Sequence, residues 1–117
     1  EVPYPAFCAK RSYLSEQRGT AKPFLEAVRE GYEFMRDADS AEVAKALAPS
    51  FDGTSEESLA VAVESYLKID AWCSTPVMTE ESLARLADIM KNAGELDGEP
   101  KFSDIVDNSL AEEITSK

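Results

Sequence analysis

The chain has 117 residues, 44% of them apolar and 30% charged, which is enough to bury a core of single-domain size. Its 23 acidic and 12 basic residues leave a formal net charge of −11, a field that repels nucleic-acid phosphates and anionic lipid head groups. There is no histidine, so zinc sites built on imidazole and Ser-His or Cys-His nucleophiles are excluded within these residues, and no apolar run approaches the roughly 18 residues of a membrane span.

The opening Glu1-Val2-Pro3-Tyr4-Pro5 has neither the basic nor the apolar region of an export signal, which leaves a cytosolic protein or a cut piece of an exported one. The β-favouring stretch about 3–9 predicts one N-terminal strand, confined to a sheet edge because Pro3 and Pro5 donate no ladder hydrogen bond. Such a strand needs partners that no later segment supplies, so strand exchange between copies, a domain swap, is the expected form of self-association.

From there the chain reads as helical. Pro23 suits a first helical turn, and Phe24, Val28, Tyr32 and Met35 recur at helical spacing, which predicts a buried face with Gly31 marking a close crossing. Asp39 with Glu42 has the form of a capping box for a short helix that Pro49 stops. Ser55 precedes a third helix with Glu56 and Glu57 in its first turn and an apolar stripe of Leu59, Val63, Tyr66 and Leu67. Thr79 caps a fourth, with Glu80 and Glu81 at its positive end, an inner face of Leu83, Leu86, Ala87 and Met90, and Gly94 as its stop. Ser109 and Glu112 offer a capping box for a last short helix. The 117 residues thus read as a single unit, a strand followed by about five helices, without internal repeats.

Several landmarks resemble the C-terminal third of the nitrate, sulfonate, taurine and thiamine-pyrimidine type of ABC-transporter substrate-binding proteins. They are Pro3-Tyr4-Pro5-Ala6-Phe7, Pro23-Phe24-Leu25-Glu26-Ala27 with Gly31-Tyr32 and Phe34-Met35, Asp70-Ala71-Trp72, Pro76-Val77-Met78-Thr79, Ile89-Met90 with Ala93-Gly94-Glu95-Leu96, and Phe102 through Ala111. The resemblance implies a mainly α segment with one N-terminal strand, taken from a two-lobe α/β periplasmic-binding-protein fold of type II. It implies solute binding without catalysis, no cofactor, a small-molecule solute and an ABC permease as partners, and a periplasmic or extracellular, membrane-associated location. Most of the pocket would lie in sequence outside these residues.

Tyr4 is the one candidate ligand residue, an aromatic surface with a polar handle that suits a small planar solute. Trp72, at the end of the third helix, reads as packing or as a partner anchor. The acidic pairs Glu56-Glu57, Glu80-Glu81 and Glu112-Glu113 read as helix-dipole complements rather than catalytic carboxylates. Cys8 and Cys73 fit no metal pattern and stand either as a long-loop disulfide or as two small buried apolar residues. Two other functions compete: a fragment of a thiamine-pyrimidine biosynthetic enzyme of the same fold, which would need a histidine and a cysteine-rich iron site, and a stand-alone helical interaction module.

Overall fold

The computed structural model describes residues 2–3 and 6–116. In chain order the elements are α1 (Arg11–Glu16), α2 (Arg18–Asp37), α3 (Ser40–Leu47), a 3-10 turn (Ala48–Ser50), α4 (Glu56–Lys68), α5 (Glu80–Asn92), α6 (Phe102–Ile105) and α7 (Ser109–Thr115). They fall into two compact units: residues 1–23 with 77–117, and residues 24–76.

No strand is present among the described residues, and this overturns both the N-terminal strand about 3–9 and the α/β type II fold. Pro3 and residues 6–10 are irregular chain, while Tyr4 and Pro5 lie outside the described residues. The physical reason was already visible in the prolines: a segment short of donors forms a ladder only against a partner, and the rest of the chain offers helical periodicity instead. Strand exchange through this segment goes with the strand.

In the unit of residues 24–76, α3 packs against α4. Val43 and Ala44 of α3 and Leu59 and Val63 of α4 are buried. Asp39 starts α3 by accepting from the Ala41 N–H at 2.8 Å, which is the N-cap half of the expected capping box, and Ser55 starts α4 by accepting from the Ser58 N–H at 3.2 Å. The end of α4 is a Schellman turn in which Asp70 takes the left-handed position at φ 51°. The Asp70 N–H donates to Leu67 O at 3.1 Å and the Ala71 N–H to Tyr66 O at 3.0 Å.

In the other unit, Thr79 caps α5 by accepting from the Ser82 N–H at 3.2 Å. The exit of α5 repeats the Schellman pattern with Gly94 at φ 75°, its N–H donating to Lys91 O and that of Glu95 to Met90 O, both at 2.9 Å. The core here is Ala87, Leu110, Ala111 and Ile114, with the Ser82 hydroxyl buried and donating to Thr79 O at 2.9 Å.

Three sequence expectations are corrected inside the helices. Helix α2 begins at Arg18, so Pro23 sits in its second turn, not its first, and removes the hydrogen bond that Gly19 O would have accepted. No residue of α2 is buried: Phe24 is 51% exposed, and Val28, Tyr32 and Met35 are half-buried. A Cβ added at Gly31 would meet nothing within 4 Å, so no close crossing requires this glycine.

Candidate functional site

The feature most like a binding site is an open cleft of about 360 Å³ in the unit of residues 1–23 and 77–117. One wall is the N-terminal half of α5, presenting Glu80, Glu81, Leu83, Ala84 and Ala87, and the other is the segment Glu99, Pro100 and Phe102. The first wall follows from helical spacing, which lays residues 80, 84 and 87 along one stripe. The second follows from the backbone: Gly94 and Gly98, at φ 75° and 90°, adopt the left-handed conformation open to glycine at little cost. Lys91 pairs with Glu99, tying this segment to the end of α5.

The cleft therefore has an apolar floor and an acidic rim. Of its three carboxylates, Glu81 pairs with Arg85 one turn along the helix and Glu99 with Lys91. The described residues hold no group of three or more side chains suited to a metal ion. In chemical terms the cleft can hold an apolar or cationic group, and its lining offers an anion no cationic side chain.

Around this cleft the terminal helices are held by polar contacts of long sequence separation. The Arg11 guanidinium donates to Ser103 O at 3.1 Å and Asp104 O at 2.6 Å, satisfying carbonyls that α6 leaves open. Arg18 donates to Glu113 at 2.7 Å, and Lys22 pairs with the same carboxylate. Those contacts, Lys22 first and Arg18 second, hold the Glu113 carboxyl down at about 2. Asp107 is also lowered, chiefly by hydrogen bonds from the side chain and backbone of Ser109, with Arg18 and Arg11 adding to the effect.

The capping box expected from Ser109 and Glu112 does not form. Asp107 accepts from the Ser109 N–H at 3.0 Å instead, and Asn108 is used elsewhere. Its amide accepts from the Met78 N–H at 3.1 Å and donates to Met78 O at 2.8 Å, reading both sides of one residue's backbone as a neighbouring strand would. Short-range sequence signals mark Asp-Asn-Ser only as a helix start; a partner 30 residues away has no local signature.

Tyr4, the sequence-predicted ligand residue, lies outside the described residues. Trp72 is half-buried and its ring lies 5.7 Å from that of Tyr66, inclined at 42°, so packing accounts for it. Glu56 and Glu57 stand exposed in the first turn of α4 as dipole complements, whereas Glu80 and Glu81 do double duty on the cleft rim and Glu113 is a structural anchor. Cys8 and Cys73 are exposed, which sets aside the reading of them as buried apolar residues.

With this geometry in place, comparison with known proteins gives one informative likeness. All 117 residues align at 29% identity with a protein of Bacillus subtilis (strain 168) named "Putative binding protein YtlA". The alignment takes in 100% of this chain and 35% of that protein, so the chain spans about a third of the relative's length. No family model matches the chain, and no solved structure matches it. The likeness is thus to a protein of the binding class.

Proposed function

We propose that this chain is a segment of the solute-binding component of an ABC importer of the nitrate, sulfonate, taurine or thiamine-precursor type, that it performs no chemistry, and that it supplies one wall of a pocket completed by other residues. The observation carrying this reading is the end-to-end likeness to a binding protein about three times as long. The proposal places the protein in the periplasm or at the outer face of the membrane, with an ABC permease as its partner. Among the described residues, no helix is long and apolar enough to cross a membrane.

The cleft is consistent with a partial role. The lining has no cationic side chain, and two of its three carboxylates already engage Arg85 and Lys91, so an anionic solute would need its positive contacts from elsewhere in the whole protein. A neutral or cationic aminopyrimidine meets no such repulsion. The test is thermal unfolding of the product of the complete reading frame containing these residues, with and without nitrate, an alkanesulfonate, taurine and a thiamine-type pyrimidine. A midpoint raised by one of the four, by the few degrees that ligand at about 100 times Kd produces, is the expected result. No rise with any of them would count against the proposal.

A further inference from the structure

Residues 11–22, which are α1 and the start of α2, contain no buried residue; Leu14, Ala21 and Lys22 are half-buried and the others are exposed. Helix α1 is also weakly specified by its own sequence. Lys10 gives it no side-chain cap, and neither an acid in its first turn nor a base in its last complements the dipole. At 6 residues it is too short to persist as a helix without a surface to lie on. Just past the other end of the segment, Pro23 interrupts the hydrogen-bond ladder of α2.

The surface it lies on is α6 and α7, within the same compact unit, and three cations make the polar attachment. Arg11 takes the Ser103 and Asp104 carbonyls at the end of α6. Arg18 donates to the Ser109 hydroxyl at 3.4 Å and to the Glu113 carboxylate at 2.7 Å, and Lys22, one turn along, pairs with that same carboxylate. The two sides are held differently. Helix α7 is anchored by buried Leu110, Ala111 and Ile114, whereas the Arg18 and Glu113 side chains that fasten the segment to it remain 46% and 41% exposed. Exposed ion pairs contribute little each, and salt screens them.

We infer that residues 11–22 form a detachable strap, fastened to α6 and α7 by an ionic clasp centred on Glu113, which opens while the core of Ala87, Leu110, Ala111 and Ile114 stays folded. A segment with few buried apolar contacts and exposed fastenings opens by local unfolding rather than with the whole unit. Glu113 is the weak point, because one carboxylate receives two of the three cations. The strap also bears on the cleft. Helix α6 begins at Phe102 of the cleft wall, so a closed strap braces that wall through Arg11 and an open one releases the carbonyls behind it.

Amide hydrogen exchange of the 117-residue chain tests this, read at Leu14, Gln17 and Ala21, whose N–H groups donate to Lys10 O, Tyr13 O and Gln17 O, and in α5 as the reference. The expected result is exchange in the strap about tenfold faster than in α5. Raising NaCl from about 0.05 M to about 1 M speeds the strap roughly threefold or more and leaves α5 within about twofold. Glu113→Gln does the same at low salt, and Glu112→Gln, which removes a neighbouring charge outside the clasp, leaves the strap rates within about twofold. Strap amides as slow as those of α5 in the native chain overturn the inference, and so do strap rates that salt leaves unchanged. Equal acceleration of the strap and α5 by Glu113→Gln overturns it as well, by showing that the two open together.

Discussion

An added methyl group at Gly31 meets open space in the middle of a 20-residue helix, so this glycine costs helix stability without a packing return. Gly31→Ala should raise stability by about 0.5–1 kcal/mol in urea melts, and a lower midpoint would mean that something does cross there. Asp70 presents the reverse case, an L-residue in the left-handed turn that ends α4. Asp70→Gly should add up to about 1 kcal/mol, read in the same way, and a loss would show that the carboxylate has a role beyond the turn. Glu113 sets a pH dependence whose sign follows from its lowered carboxyl. A group ionising near 2 in the folded chain and near 4.5 when unfolded contributes fully above about pH 4.5 and is lost as the pH falls toward 2. Thermal melts of the native chain and Glu113→Gln should therefore differ at pH 6, with the gap narrowing steadily from about pH 4.5 downward and closing only below about pH 2; a constant gap would detach this effect from the carboxylate.

Helix boundaries set by capping were legible before any coordinates. Asp39, Ser55 and Thr79 each start the helix expected of them because an N-cap is decided within three residues, and Gly94 stops α5 for the same local reason. Helix faces were less legible. Periodicity identifies an apolar stripe but not whether anything covers it, and the stripe of Phe24, Val28, Tyr32 and Met35 is at most half-covered. Met90 stands in the inner-face register of α5 yet is 37% exposed, whereas Leu59 in α4 is 6% exposed. Leu59→Ala should cost about 2–5 kcal/mol by opening a cavity, and Met90→Ala under about 1 kcal/mol. Equal urea midpoints for the two variants would show that α5 turns its other side to the core. The cleft was the least legible feature: its acidic pair was noted only as a dipole complement, and the wall opposite depends on a turn through Gly94 and Gly98 that brings Glu99 and Phe102 back toward α5.

For the whole molecule, the charge of −11, the short list of buried apolar residues and the acidic open cleft bear on one question, whether these 117 residues bind a solute by themselves. Tight capture of a small polar molecule requires enclosure on most sides and polar groups converging from more than one element. The cleft offers walls from α5 and the segment Glu99 to Phe102, and its remaining side is open. After the cost of immobilising the ligand, contact with so partial an enclosure leaves affinity weaker than about 1 mM. Calorimetric titration of the purified chain with nitrate, an alkanesulfonate, taurine and a thiamine-type pyrimidine measures this directly. The account predicts no saturable heat below millimolar concentration with any of the four, and a micromolar, one-to-one isotherm with any of them would contradict it by showing that a complete pocket already exists within these residues.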